Sequence, residues 1–182
     1  MLFRSLARLF RLGRRRTRRE DGNATIEFVI LFPIFMTIFV SSFEAGMLMI
    51  RQVMLDRATD ITVRALRLGM YENPDADFLK EAICSMNPVL RDCEENILIE
   101  LTPVSTTSWS PLPNNPNCVD KDSDIEPVVT FSGGQQNEMM LVRACVLAKP
   151  LFPTTGLGLQ LPRQYPDHYA LVSTAAFVNE PS

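Results

Sequence analysis

The stretch that decides the fold is FVILFPIFMTIFVSSF, residues 28–43, which contains no charged residue. Residues 28–50 together make roughly 35 Å of α-helix at about 1.5 Å per residue. The hydrocarbon core of a bilayer is about 30 Å thick. A helix over residues 23–50 is therefore predicted to cross a membrane once.

Charge is distributed unevenly around this stretch. Residues 1–22 hold eight arginines and two acids, whereas the rest of the chain holds 10 bases and 19 acids, a net charge of −9. Clusters of arginine stay on the cytoplasmic side of a span. Residues 1–22 are thus predicted to be a cytoplasmic leader, with everything after about residue 50 exported. The acidic body argues against a nucleic-acid partner.

The apolar stretch differs from an ordinary secretory signal. No small-residue cleavage site follows it, and the helical pattern continues beyond Arg51. An uncleaved anchor is the simplest alternative and accounts for every feature except Glu27. A carboxylate there costs up to a few kcal/mol. Either it stays solvated in the headgroup zone, or it pairs with a new α-amine at Asn23 after cleavage behind Gly22.

The motif Gly22-Asn-Ala-Thr-Ile-Glu27-Phe28 behind an Arg-rich leader resembles the prepilin-peptidase signal of type IV pilins. More narrowly, the chain resembles the TadE-like family of the tight-adherence (Tad) pilus systems. The resemblance is close over residues 13–69 and is supported by the ending of the chain. The matching motifs are Glu27-Phe28, Pro33, Phe43-Glu44-Ala45-Gly46, Arg51-Gln52, Arg57-Ala58, Val63-Arg64-Ala65 and Asn179-Glu180-Pro181.

The resemblance implies a pseudopilin or minor pilin that primes, caps or stabilises a Tad (Flp-type) pilus used in adhesion. A prepilin peptidase would cut between Gly22 and Asn23, where the family commonly has a small Ala in place of Asn23. The implied partners are this peptidase, other Tad pilins or pseudopilins, and the inner-membrane assembly platform. The implied location is the bacterial inner membrane, with a periplasmic domain and possible incorporation into the surface pilus.

Four residues of the span receive roles in this interpretation. Glu27 and Phe28 serve assembly through pairing with the N-terminal amine, and Pro33 and Glu44 serve helix packing. Proline inside a helix removes a hydrogen bond and bends the axis, although neighbours compensate in membranes. Pro33 therefore has two interpretations: a harmless kink, or a local unwinding used when the subunit leaves the bilayer.

Beyond the span, a helical extension is predicted over residues 51–72 and an exported domain over residues 73–182. Gly69 followed by Asn73-Pro74 is a stop signal. Asn73-Pro74-Asp75 predicts the start of a short helix that runs to about Met86. The apolar side of the extension is expected to consist of Val53, Met54, Ile61, Ala65 and Leu68.

Strands are predicted where apolar and β-branched runs are bounded by turn residues. These runs are 96–102, 128–131, 139–148 and 169–178. Residues 103–127 are predicted to form a long exposed loop, and the Pro/Gly-rich segment between the last two strands to cover the core or face a partner. The expected fold class is α+β, with a long N-terminal helix packed on a small antiparallel sheet.

Four cysteines lie in the exported part, at Cys84, Cys93, Cys118 and Cys145. An even count in an oxidising compartment favours two disulfides over free thiols. Three pairings are possible, of which short loop closure favours Cys84–Cys93 with Cys118–Cys145. A zinc site is the alternative, but the sequence offers neither C-x-x-C spacing nor a nearby histidine.

No catalytic set is visible in the sequence. Asp120-Lys-Asp122-Ser-Asp124-Ile-Glu126 alternates carboxylates but lacks the Gly and Glu positions of a calcium loop, so a solvated loop is expected and calcium is the alternative. Nucleophile and phosphate-binding motifs are missing. We therefore expect neither enzymatic activity nor a cofactor or metal. The rival function is a permanent bitopic scaffold or ligand-binding protein, which would not need the Gly22/Glu27 pair.

Overall fold

The computed structural model describes residues 21–71, 74–107, 118–119, 131, 134–164 and 167–180, and for residues 21–23 the backbone alone. The described helices are α1 (Asp21–Arg67), α2 (Ala76–Ser85), α3 (Cys93–Asn96) and α4 (Gly156–Gln160). The strands are β1 (Ile97–Pro103), β2 (Met139–Ala148) and β3 (Tyr169–Val178), in the antiparallel order β1-β2-β3. The α+β class predicted from the sequence is confirmed.

The long helix α1 has two parts with different surroundings. Its 47 residues extend for roughly 70 Å. Residues 24–39 are exposed throughout, and the apolar part of the helix is not covered by the other described residues. By length and composition, Ala24–Arg67 is a candidate membrane span. From residue 40 onward the helix packs on the domain.

A glycine ends α1. Gly69 has a φ of +62°, the left-handed conformation that other residues rarely adopt. The N–H of Met70 donates to the carbonyl of Ala65 at 3.1 Å, and the N–H of Gly69 donates to that of Leu66 at 3.0 Å. This pair of bonds is a Schellman motif. It ends the helix at Arg67, before the residue 72 expected for the extension.

The face of α1 that meets the sheet differs from the one predicted. Val53, Ile61 and Leu68 are 63%, 45% and 56% exposed, so the predicted apolar side is largely wrong. The buried face consists mainly of small residues because α1 lies close to β3. A hydropathy pattern does not identify small polar side chains as buried. The members of the buried face are Leu55, Ala58, Thr59, Thr62, Val63 and Ala65.

The core lies between one face of the sheet and the two longer helices. α1 packs against β3 and α2 against β1. Side chains alternate along each strand, so Ile99, Ala144 and Ser173 stand side by side on the helix-facing surface. The helix-facing core positions of the sheet are Ile97, Ile99, Leu101, Met140, Val142, Ala144, Val146, Ala148, Tyr169, Leu171 and Phe177.

The strands lie close to where the sequence placed them. β2 and β3 have the predicted bounds, and β1 is shifted by one residue. Residues 128–130 lie outside the described part of the chain, and Phe131 forms an isolated parallel bridge with Leu101. Most of the predicted loop 103–127 also lies outside the described residues.

The short helix α2 is capped by Asp75, the last residue of the segment predicted as its cap and first turn. The Asp75 carboxylate accepts a hydrogen bond from the backbone N–H of Phe78 at 2.8 Å, which satisfies one of the free donors of the first turn. Met86 is the C-cap residue, in agreement with the predicted end. Leu79 and Ile83 are buried against the sheet side, as their helical spacing predicts.

Candidate functional site

The first turns of α1 carry the residues of the predicted processing signal. The backbone is helical from Asp21, so Glu27 lies about 6 Å along the axis from Asn23 and on the same face. Glu27 is exposed and has no hydrogen-bond or ion-pair partner among the described residues. The ring of Phe28 stacks obliquely on that of Phe32, with centroids 5.1 Å apart. The carboxylate is therefore available for a partner outside this chain.

Pro33 does not interrupt the helix. α1 is continuous through Pro33, and the Thr37 hydroxyl donates to the Pro33 carbonyl at 2.8 Å. Ser41 and Ser42 donate likewise to carbonyls one turn earlier, at 2.7 and 2.9 Å. Hydroxyl groups in the apolar stretch thus have partners within their own helix, as a low-dielectric environment requires. The role of Pro33 in packing against other subunits stays a prediction.

Glu44 is a buried acid with two backbone partners. Its side chain is 1% exposed, and its carboxylate accepts hydrogen bonds from the N–H groups of Leu151 and Phe152 at 3.0–3.1 Å. Both donors belong to the segment between β2 and β3, residues 149–168, which we call the β2–β3 loop. The negative charge therefore accepts two charge-assisted hydrogen bonds and holds this loop on α1.

A second contact brings the β2–β3 loop close to the helix. The N–H of Leu157 donates to the Ser41 hydroxyl at 3.3 Å. The neighbouring Gly156 has a φ of +52°, and a Cβ at this position would collide with the Ser41 hydroxyl. Glycine thus provides both the backbone conformation and the close approach to α1.

An ion pair closes the base of the β2–β3 loop. Lys149 Nζ lies 3.1 Å from the Asp167 carboxylate, which also contacts His168 Nδ1 at 2.7 Å. The hydrogen bond from Lys149 is the main cause that lowers the pKa of Asp167 below its usual value. Both partners of the Lys149–Asp167 pair are more than half exposed, so it positions the loop more than it stabilises the fold.

Two polar residues of α1 attach the helix to the edge of the sheet. The Arg51 guanidinium donates to the Lys149 carbonyl at 2.8 Å and to the Tyr169 hydroxyl at 2.6 Å. The Gln52 amide donates to the Val172 carbonyl on β3 at 3.0 Å. Arg51 is thus bonded to the domain. Its planar group of several donors suits two acceptors at once.

The C-terminal motif returns to the end of α1. Glu180 forms an ion pair with Arg67 at 2.9 Å. The backbone of Asn179 bonds to Glu138 and Asn137 on the turn before β2, at 3.1 and 3.0 Å. The motif thus joins the last strand, the helix end and this turn, while Pro181 lies outside the described residues.

The cysteines form the pairs that short loop closure favours. Cys84, at the end of α2, is bonded to Cys93 at the start of α3, with their Cα atoms 5.6 Å apart. Cys118 is bonded to Cys145 in the central strand, with a Cα separation of 5.2 Å. Cys145 is fully buried on the side of the sheet that faces away from α1.

We expect both bonds in the protein extracted from membranes without reductant. Alkylation with iodoacetamide under denaturing conditions, followed by mass spectrometry, should find no modified cysteine, whereas reduction first should add four groups. A bond typically contributes 2–5 kcal/mol to a small exported domain. Peptides linking Cys84 to Cys118 or Cys145 would contradict the pairing.

Metal ligands do not cluster in the described ranges. No group of three His, Cys, Asp or Glu residues there is placed to hold a metal ion. The acidic segment 120–126 falls outside the described residues. The solvated loop, with a calcium site as the alternative, therefore stays a prediction from the sequence.

The first part of α1 resembles a known protein family. Residues 22–64 match the family model described as TadE-like protein. This segment is therefore similar to TadE-like proteins. The matched segment begins at the glycine of the predicted signal and includes Glu27, Pro33 and Glu44 as well as the first turns packed on the sheet. The comparisons with curated proteins and with solved structures gave no match.

The TadE-like match concerns a family with a structural role. The family is a pilin-type structural family of the Tad pilus system and is not known as enzymatic. It points to a minor pilin-like protein associated with Tad pilus machinery. One apolar helix that is long enough to span a membrane agrees with this association.

Sequence reasoning missed two contributors to the site. Ser41 was counted only as part of an uncharged run, and Gln52 only as part of a family motif. Their partners lie 116 and 120 residues further along the chain. Local sequence patterns do not reveal such contacts. Hydroxyl and amide residues on an otherwise apolar helix face could still have indicated that this face bonds to another part of the chain.

Proposed function

We propose that this protein is a processed pseudopilin or minor pilin that supports assembly of a Tad pilus by priming, capping or stabilising it. The observation that carries the proposal is the exposed N-terminal part of α1, where Glu27 has no partner among the described residues. An apolar helix surface of this size needs either lipid or other helices around it. The domain covers only the distal part of α1.

The proposed topology follows from charge and cysteine chemistry. Residues 1–22 form the cytoplasmic leader, residues 23–50 cross the inner membrane, and residues 73–182 form the periplasmic domain. Arginines remain on the cytoplasmic side. Disulfides persist in the periplasm and not in the cytosol. The Cys84–Cys93 and Cys118–Cys145 bonds agree with an exported domain.

Processing would prepare α1 for helix–helix contact. A prepilin peptidase cuts between Gly22 and Asn23, which removes eight arginines and creates a positive α-amine. This amine and the Glu27 carboxylate lie on the same helix face. Their pairing, within one subunit or between neighbours, offsets part of the cost of burying each charge. Other pilins and the assembly platform are the partners of the exposed helix surface.

The N-terminus of the mature protein tests the proposal. Protein purified from piliated cells should begin at Asn23, as determined by N-terminal sequencing and intact mass. Gly22→Lys should accumulate a precursor heavier by residues 1–22, because a long charged side chain replaces the glycine at the cut. Gly13→Lys adds the same charge within the leader and should be processed normally.

One result would overturn the assignment. If the wild-type protein keeps Met1 and the leader while pili are being made, it is a permanent membrane anchor. The scaffold or ligand-binding function would then replace the pseudopilin.

A further inference from the structure

The β2–β3 loop packs on a part of α1 that belongs to the charge-free stretch. Its two attachment points on the helix are Ser41 and Glu44. Phe43, between them, meets the ring of Phe152 edge-on with centroids 6.3 Å apart. The loop therefore lies beside the last turns of the apolar run rather than beyond it.

The exposed part of α1 is too short to span a bilayer by itself. The fully exposed run, residues 24–39, is about 24 Å long. A hydrocarbon core of about 30 Å that is entered at Ala24 extends about four residues further, to Phe43. A core entered at Phe28, beyond the Glu27 charge, extends to about Met47. Either placement brings the docked loop to the depth of the distal leaflet.

The composition of the loop suits this depth. Residues 150–162 contain no charged side chain, and the basic residues Lys149 and Arg163 stand at the two ends. The side chains of Leu151, Phe152 and Leu159 are 42%, 38% and 59% exposed. Apolar side chains bounded by basic residues are typical of elements that lie in the headgroup and acyl boundary.

Several backbone N–H groups of the loop are paired. Glu44 accepts from two of its N–H groups, and Ser41 accepts from a third. Within the loop, Thr155 donates to the Phe152 carbonyl at 3.3 Å and Leu161 to that of Leu157 at 3.1 Å. Unpaired backbone groups are strongly disfavoured in lipid, so each of these hydrogen bonds lowers the cost of insertion.

We propose that residues 150–162 of the β2–β3 loop insert into the periplasmic leaflet as an apolar collar on α1, with Leu151, Phe152, Leu159 and Phe43 in contact with lipid. The partner of this surface is the bilayer itself. The exposed part of α1 is shorter than the hydrocarbon core, and the apolar loop lies at the depth of the remaining part. The buried Glu44 carboxylate then holds the inserted loop by accepting hydrogen bonds from the backbone N–H groups of the loop. This inference rests only on the membrane-spanning part of the proposed function and not on processing.

Depth-dependent fluorescence quenching tests the collar in the full-length protein. The single Trp109 is replaced by Phe, and one tryptophan is introduced as Phe152→Trp or Leu159→Trp. Phe39→Trp serves as the reference within the span. Gln136→Trp is the control, because this exposed residue lies at the opposite end of the sheet. Each variant is reconstituted in phosphatidylethanolamine–phosphatidylglycerol vesicles that contain phosphatidylcholine brominated on its acyl chains.

We expect both loop tryptophans to be quenched by the brominated lipid at about half or more of the level of Phe39→Trp, since interfacial elements reach about 5–10 Å into the boundary. Acrylamide in the buffer should quench Gln136→Trp strongly and the loop tryptophans weakly. Two independent loop positions guard against a local packing defect in either variant.

Three results would overturn the inference. Loop tryptophans that respond to acrylamide and not to brominated lipid would place the loop in water. Loop tryptophans shielded from both quenchers would show that a second protein surface covers the loop. If Phe39→Trp itself is not quenched by lipid, α1 does not span the bilayer and the membrane anchor falls as well.

Discussion

Glu27→Gln is expected to leave removal of the leader intact and to abolish piliation. The substitution keeps the size and helix propensity of the side chain and removes only the negative charge. A neutral amide cannot compensate the α-amine created at Asn23, so one buried positive charge would lack its partner. Leaving one member of a buried ion pair unpaired costs about 3–5 kcal/mol, enough to prevent stable packing of subunits.

Comparing membrane insertion with piliation in Glu27→Gln distinguishes a role in ion pairing from a role in membrane anchoring. A neutral glutamine is less costly to place in the membrane than a carboxylate, so the variant should insert at least as well as the wild type. Loss of pili would then come from assembly. Immunoblotting of membrane fractions reports processing, and electron microscopy of cell surfaces reports pili. Normal pilus numbers in Glu27→Gln would contradict the role assigned to this carboxylate.

A matched control uses an acid far from the span. Glu81 is exposed on α2, and Glu81→Gln removes the same charge without touching α1. It should be processed and piliated like the wild type. Glu27→Asp keeps the charge on a shorter side chain and should retain part of the function, which glutamine should not.

Glu44→Ala is expected to release the β2–β3 loop from the helix. Two backbone N–H groups, those of Leu151 and Phe152, lose their charged acceptor. Hydrogen bonds to charged groups contribute about 1.5–3 kcal/mol each. Loss of the equivalent of one such bond should make local opening that exposes these amides about 10- to 150-fold more frequent. Hydrogen exchange measured by mass spectrometry in detergent or nanodiscs reads this out directly.

Graded substitutions make the Glu44 prediction specific. In Glu44→Gln the amide oxygen in the position of Oε2 still accepts from both donors, because both lie 3.0 Å from that atom. Its effect should be smaller than that of alanine. Glu81→Ala removes an exposed acid and should leave exchange in the loop unchanged. Equal protection of Leu151 and Phe152 in Glu44→Ala and the wild type would show that the carboxylate does not hold the loop.

Much of this protein follows from local sequence. The uncharged run predicts α1 by composition, Gly69 predicts its end by backbone conformation, and Asn73-Pro74-Asp75 predicts the start of α2. Two strands have the bounds expected from their apolar runs. Each of these features depends on interactions between residues a few positions apart, which is why a single sequence suffices to find them.

Three-dimensional packing decided the rest. The buried face of α1 contains Ala58, Thr59 and Thr62 and not the more hydrophobic Val53 and Ile61. The reason is that the helix lies close to β3, which favours small side chains. No hydropathy pattern ranks such residues as core.

Long-range partners also required the structure. The sequence admitted three disulfide pairings, and it offered no partner for Glu44. A carboxylate accepts a hydrogen bond from any correctly placed N–H, so its own neighbours in the chain do not specify which one it meets. Leu151 and Phe152 lie more than 100 residues away, and only the return of the chain from β2 to α1 brings their donors to Glu44. The sequence alone thus determined which segments form helices and strands, and tertiary structure decided which surfaces and charges they bury together.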